Sequence, residues 1–166
     1  MNDNTRSYQL KKSNKQNTAD KVVENRDKST KLIWKKPDSW IPSEGSSMRL
    51  ASFAIPYSVG TGDLSVIQLG GDGGGLKSNV NRWRGQLNLG PIGLFDIEKD
   101  IVKEEGQLNI FSTIQIINQE IDSAFFCAII PSGNYTIFVK LSLKPIGIIE
   151  IKDDFIKFCS SLKFSN

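Results

Sequence analysis

The chain has 166 residues, of which 39% are hydrophobic and 23% are charged, and its formal net charge is +3. This composition is typical of one globular domain that can bury a real core. The sequence has no histidine, which excludes Ser-His-Asp and Cys-His catalytic sites and histidine-ligated metal centres within the chain. No stretch approaches the roughly eighteen apolar residues that a membrane-spanning helix needs.

Residues 1–30 consist mainly of Asn, Lys, Ser, Asp and Thr, and we predict a disordered basic tail there. The segment carries the whole net charge of +3, so residues 31–166 are formally neutral. A neutral folded part argues against a nucleic-acid-binding domain. The start of the chain shows no apolar leader, which predicts a cytoplasmic protein and gives no support for membrane attachment.

The first half of the predicted domain, residues 31–166, contains strands followed by a helix. A short strand is expected near 31–34, and a hairpin is expected from strands over 48–55 and 64–69. A glycine run at 70–75 then leads into an amphipathic helix over 76–87. The apolar face of that helix comprises Leu76, Val80, Trp83 and Leu87.

The second half predicts another helix, three strands and a final helix. The helices are expected over 94–103 and 148–161, and the strands over 108–117, 124–130 and 135–143. Short turns between these strands favour antiparallel pairing. The fold class is therefore α+β, with an antiparallel sheet of five to six strands packed with two to three helices.

Three motifs carry a resemblance to known proteins: Trp34-Lys35-x-Pro37-x-x-Trp40, the stretch Ser47–Phe53, and the stretch Asn79–Gln86. Together they resemble an uncharacterised bacterial family with many lipoprotein-like members, which implies an exported or periplasmic location. The order of elements and the helix motif Phe155-x-x-Phe158-x-x-Ser161-Leu162 are similar to the Mog1/PsbP-type α/β/α sandwich. That resemblance implies a non-enzymatic, partner-binding module.

The polar face of the helix over 76–87 is the main candidate site. It carries two asparagines, a residue type that is unfavourable inside helices because its amide competes for backbone hydrogen bonds. Their partners are either internal, bracing the glycine loop against the sheet, or external, with arginine forks binding a partner's carboxylates. The candidate binding residues are Asn79, Asn81, Arg82 and Arg84, together with Arg49, Gly73 and Gly74.

The residues of the other candidate sites are better explained by structural roles than by functional ones. The glycine run lacks both phosphate-loop patterns, and Asp72 would repel a phosphate. The acids near residues 96–105 and at 153–154 alternate with lysines, as on solvated helix faces. The tryptophans and cysteines are expected in the core, the cysteines as free thiols: Trp34, Trp40, Trp83, Cys127 and Cys159.

The sequence thus predicts a non-catalytic binding or accessory module that contacts a protein partner through the helix over 76–87 and the adjacent glycine loop. It predicts no catalytic residue, metal ion or cofactor, and it leaves the oligomeric state open. The alternative is a small-ligand-binding protein or enzyme with an internal pocket near Arg49, Asn81 and Arg82.

Overall fold

A computed structural model describes residues 30–165 of the chain. The predicted tail therefore lies, except for Thr30, outside the described residues. In chain order the elements are β1 (Leu32–Ile33), β2 (Ile41–Pro42), β3 (Ala51–Tyr57), β4 (Gly60–Gly70), α1 (Leu76–Gln86), α2 (Leu94–Asp100), β5 (Val102–Glu104), β6 (Phe111–Asn118), a 3-10 turn (Gln119–Ile121), β7 (Ser123–Ser132), β8 (Tyr135–Leu143), α3 (Pro145–Ser161) and β9 (Lys163–Phe164).

The chain divides into two compact units, one spanning 34–162 and one formed by the two ends of the chain. In the unit of chain ends, β1 pairs antiparallel with β9. Outside this ladder, the Lys31 amide donates to Ser165 Oγ at 3.0 Å, and the Ser165 amide donates to the Lys31 carbonyl at 2.8 Å. The sequence predicted the first of these two strands but not the second. The predicted boundary at residue 31 stays a prediction.

The unit spanning 34–162 is built on a seven-stranded antiparallel sheet in the order β2-β3-β4-β8-β7-β6-β5. Short turns join β3 to β4, β6 to β7 and β7 to β8, so each of these pairs forms a local hairpin. The helices α1 and α2 lie in the long connection between β4 and β5. After β7, β8 returns to pair with β4 at the middle of the sheet.

Helices cover both faces of this sheet. Along β7, alternate side chains point to opposite faces, and Phe125 and Cys127 pack with Trp83 in a cluster that also includes residues of α2. On the opposite face, the Phe126 ring stacks on Phe155 of α3 at 4.3 Å between centroids. The α+β class is confirmed, and the sandwich has helices on each side.

The structure corrects several predicted boundaries. The sheet has seven strands rather than five to six, because β2 and β5 are edge strands of two and three residues, too short for a visible alternation. The predicted helix over 94–103 ends at Asp100, since the next residues pair with β6 as β5. Strand β3 begins at Ala51, so Arg49 precedes it. Helix α3 starts early, at Pro145, a residue suited to the first helical turn.

Two of the three tryptophans and both cysteines fill the core as predicted, whereas Trp34 is half-buried and packs at its edge against Phe53. Trp40 and Trp83 are buried, and the Trp40 ring lies 5.2 Å from that of Phe158 between centroids. Cys127 and Cys159 are free and buried. Burial raises the pKa of Cys127 to about 12, so this thiol stays protonated and unreactive at neutral pH. Among residues 30–165, no helix has the length and apolar character to cross a membrane.

The stack between Phe126 and Phe155 makes a testable contribution to stability. Phe155→Ala removes a fully buried ring and should lower the free energy of unfolding by about 3–5 kcal/mol, because a cavity remains. Urea denaturation measures this change. Ile149→Ala on the same helix is the control, since Ile149 is 81% exposed and should change stability by less than about 0.5 kcal/mol. Equal effects of the two substitutions would contradict the assigned packing.

Candidate functional site

The glycine loop before α1 is a tight and anchored turn. Gly71, Gly73, Gly74 and Gly75 all have positive φ angles, which side-chain-bearing residues rarely adopt. The Gly71 amide donates to the Asn134 carbonyl at 2.7 Å, and the Gly71 carbonyl accepts from Thr136 Oγ1 at 2.7 Å. The loop is thereby fastened to the hairpin between β7 and β8.

Asn79 joins this loop to the first turns of α1. Its side chain is buried, with 1% of the residue exposed. Its Nδ2 donates to the carbonyls of Gly73 at 3.0 Å and Gly75 at 2.7 Å. Its Oδ1 accepts a hydrogen bond from Arg82 Nη1 at 2.7 Å. Asn79 is therefore a brace, and it also positions the guanidinium of Arg82.

Asn81 and Arg84 brace the other end of α1. Asn81 Nδ2 donates to the Ile92 carbonyl at 2.9 Å, and the Ile92 amide donates back to Asn81 Oδ1 at 2.9 Å. Arg84 Nε donates to the Gly90 carbonyl at 2.7 Å. Both side chains thus hold the connection between α1 and α2. The predicted alternatives were internal bracing and contact with a partner, and the hydrogen bonds of Asn81 and Arg84 correspond to internal bracing.

Arg49 is held by the hairpin of β3 and β4. Its two terminal nitrogens donate to the two carboxylate oxygens of Asp63 at 3.0 and 2.8 Å, and Nη1 also donates to Ser52 Oγ at 3.0 Å. The hydrogen bonds to Asp63 raise the pKa of Arg49. Arg49, Asn81 and Arg82 therefore bond to three different segments, an arrangement that does not favour a common internal pocket.

Arg82 differs from the other predicted site residues because it is exposed. Its guanidinium lies 5.7 Å from the centroid of the Trp83 ring. Only Nη1 has a hydrogen-bond acceptor among the described residues, and no acidic side chain of that part of the chain forms an ion pair with it. The remaining donors of the fork face solvent.

Sequence analysis missed one charged residue of this region, Lys140 on β8. The strand register places Lys140 beside Ser65 of β4, on the face of the sheet that carries Phe138 and α1. Lys140 Nζ donates to Gln86 Oε1 at 2.6 Å and lies 4.1 Å from the Phe125 ring centroid. The sequence did contain a signal for Lys140. It is a lysine within the apolar run 137–143, two residues after Phe138 and therefore on the same face of the strand.

The surroundings of Lys140 disfavour its charge. Burial lowers the pKa of Lys140, and the positive charges of Arg82 and Arg49 lower it further, while Cys127 and Asp63 act in the opposite direction. The same interactions show that the three cations share one electrostatic environment. No direct contact joins Arg49 to Arg82, so the predicted cluster of the two stays a prediction.

Two cavities of the structure lie away from Arg49 and Arg82. A groove of about 590 Å³ beside the glycine loop is lined by Gly74, Gly75 and Asn81 among others, but by neither Arg49 nor Arg82. A second cavity, of about 360 Å³, lies against α3 and has Asp100, Glu104 and Lys152 in its wall. Within the described range, Cys, Asp and Glu side chains form no group of three or more that could hold a metal ion.

Comparisons with known proteins connect the chain to a fold. No family model and no curated protein matches the sequence. A crystal structure from Bacteroides thetaiotaomicron VPI-5482 matches 81% of this chain at 14% identity and a TM-score of 0.52. The solution structure of cyanobacterial PsbP (CyanoP) from Synechocystis sp. PCC 6803 matches 82% at 14% identity and a TM-score of 0.50. The chain has a PsbP-like fold.

The extent of these matches differs. The aligned region covers 93% of the cyanobacterial PsbP chain but only 45% of the Bacteroides chain, so this chain spans less than half the length of the latter. The PsbP-like fold that the resemblance predicted is confirmed. Because identity is 14% in both cases, the similarity concerns the fold alone.

The close approach of Gly73 to the sheet can be tested with two alanine substitutions. Gly73→Ala and Gly71→Ala both place a side chain at positive φ, at a cost of about 1–2 kcal/mol. Only at Gly73 would the new Cβ run into the Phe138 ring, since the space beside Gly71 is open. Gly73→Ala should therefore lose about 1–3 kcal/mol more, as measured by urea denaturation. Equal losses would rule out the contact.

The brace formed by Asn79 predicts a second difference in stability. Asn79→Ala removes both donors to the loop carbonyls and should lower the free energy of unfolding by about 1–3 kcal/mol. Ser78→Ala makes the same change at an exposed neighbour and controls for the helix propensity of alanine. If thermal and chemical denaturation show both variants to be as stable as the parent, Asn79 does not brace the loop.

Proposed function

We propose that the chain is a non-catalytic binding or accessory module that captures an acidic protein partner through the α1 surface. This surface consists of the solvent-facing side of α1 and the adjacent glycine loop, and its members are Gly73, Gly74, Lys77, Ser78 and Arg82.

The exposed and positioned guanidinium of Arg82 carries this proposal. Asn79 holds Nη1 from one side, and Asn79 is itself fixed by the carbonyls of Gly73 and Gly75. A side chain that is ordered before binding loses less conformational entropy when the partner arrives. The unpaired donors of the fork match the two oxygens of a carboxylate.

The charges of α1 itself support an acidic partner, although the glycine loop before it carries the exposed Asp72. Lys77 is exposed five residues before Arg82, and the first turn of α1 contains no acidic residue. The dipole of the helix adds a partial positive charge at this end. Electrostatic complementarity of this kind favours association with an acidic surface.

The chemistry of the remaining residues supports a role without catalysis. The sequence has no histidine, and burial raises the pKa of both Cys127 and Cys159, which keeps the thiols protonated. The side chains of Asn81, Arg84 and Arg49 are engaged in hydrogen bonds within the fold. Arg82 is thus the member of the predicted set best placed to meet another molecule.

Charge reversal at Arg82 tests the α1 surface. The tagged full chain is used to capture proteins from a lysate of its source, with quantitative mass spectrometry of the parent and of Arg82→Glu and Arg82→Gln. We expect a captured protein with an acidic surface to fall about tenfold or more in Arg82→Glu and less in Arg82→Gln, because a close ion pair is lost or reversed. Melting temperatures should stay near that of the parent.

Lys157→Glu is the matched control, because it reverses an exposed charge on α3 and leaves α1 unchanged. Capture of the partner should survive this substitution. If Arg82→Glu and Lys157→Glu reduce capture equally, the effect reflects net charge and the α1 surface is not the contact. If Arg82→Glu unfolds the protein, Arg82 is a structural brace.

A further inference from the structure

One part of the main sheet carries mainly polar side chains rather than large apolar ones. On the face that carries α1, the register aligns Ser65 with Lys140 and Asp63 with Ser142 across β4 and β8, and Ala54 of β3 lies beside Asp63. We call these residues the sheet shelf: Ala54, Asp63, Ser65, Lys140 and Ser142. All except the exposed Asp63 are half-buried, so solvent reaches the shelf.

Within the described part of the chain, the cation at the centre of the shelf has no anion in ion-pair contact, although the more distant Asp63 acts on its pKa. Lys140 Nζ contacts the neutral Gln86 amide oxygen and the Phe125 ring. No Asp or Glu among residues 30–165 forms an ion pair with it. The acid on the shelf, Asp63, is occupied by the bidentate pair with Arg49. A half-buried ammonium that lacks a counter-ion destabilises the fold.

Two unused donors flank this cation. The hydroxyl groups of Ser65 and Ser142 form no hydrogen bond with any other residue of the described range, yet they lie on the same face as Lys140, one on the neighbouring strand and one two residues along β8. Hydroxyl groups can donate to an oxyanion. The ammonium, which donates to the neutral Gln86 amide, and the two hydroxyls thus offer several donors to an added oxyanion.

We propose that the sheet shelf binds a carboxylate, which Lys140 pairs with and the hydroxyls of Ser65 and Ser142 help to hold. A singly charged anion matches the one unpaired charge of Lys140, because Arg49 and Asp63 neutralise each other in their bidentate pair. Arg82 adds positive potential near the shelf. Insofar as the carboxylate is an Asp or Glu side chain of the protein partner, this inference rests on the proposed function.

Nuclear magnetic resonance of the full chain tests the shelf directly. Four probes are titrated: a short amidated peptide of alternating Gly and Glu, the same peptide with Gln in place of Glu, free acetate and inorganic phosphate. The signals followed are the side-chain resonances of Lys140 and the amides of residues 65 and 139–142. The Glu peptide should shift these signals, and the Gln peptide should leave them unchanged.

Substitutions assign the effect to individual residues. Lys140→Met keeps a long side chain without the charge and should weaken binding of the Glu peptide about tenfold. Ser65→Ala combined with Ser142→Ala should weaken it less. Lys157→Met, at the exposed position on α3, should not alter binding. A Lys140→Met variant that folds and binds the Glu peptide like the parent would overturn the proposal.

The remaining outcomes separate this proposal from the proposed function. If acetate shifts the shelf signals and the Glu peptide does not, the carboxylate site stands and the acidic protein partner loses support. If Arg82→Gln weakens binding of the Glu peptide while acetate still shifts Lys140, both proposals are supported. Inorganic phosphate that binds more tightly than acetate, or no response to any carboxylate, would overturn the carboxylate site.

Discussion

The burial of β7 and β8 on both faces is the constraint on which the main unit depends. Phe125 and Cys127 pack towards α1 and α2, while Phe126 packs against α3. Since consecutive residues of these strands must satisfy two different cores, a shift of register by one residue would disrupt both. This burial on both faces fixes the helices against the sheet. The candidate site residues lie on or next to these elements, so the same packing fixes their positions.

The polar side of α1 serves the fold first and leaves Arg82 exposed. Asn79 bonds to the glycine loop, Asn81 to the Ile92 backbone and Arg84 to the Gly90 carbonyl. These bonds satisfy backbone groups of the flanking loops, which otherwise lack regular secondary structure to pair with. Arg82 gains order from the same network through Asn79 and keeps its remaining donors exposed. In the proposed function, Asn79 therefore contributes both to stability and to the position of Arg82.

Lys140 reduces the stability of the fold in a way that its packing does not explain. An aliphatic residue at this position of β8 would suit the half-buried face better than an ammonium group whose burial lowers its pKa. The contacts with Gln86 and the Phe125 ring offset part of that cost. Residues that reduce stability without a structural benefit are typical of binding sites, and the open polar face around Lys140 agrees with that pattern.

Local patterns determined much of this protein: the alternation in 124–130 and 135–143, the apolar stripe of α1, and the buried tryptophans and cysteines all follow from residue spacing. Only the tertiary structure decided the edge strands β2 and β5, whose two and three residues are strands because a neighbour pairs with them. The tertiary structure also decided the different roles of two arginines. Arg84 binds the Gly90 carbonyl because the connection after α1 passes next to it, whereas Arg82 stays exposed. Lys140 lies beside Ser65 because strands distant in sequence pair in register, and no local pattern encodes such long-range pairing.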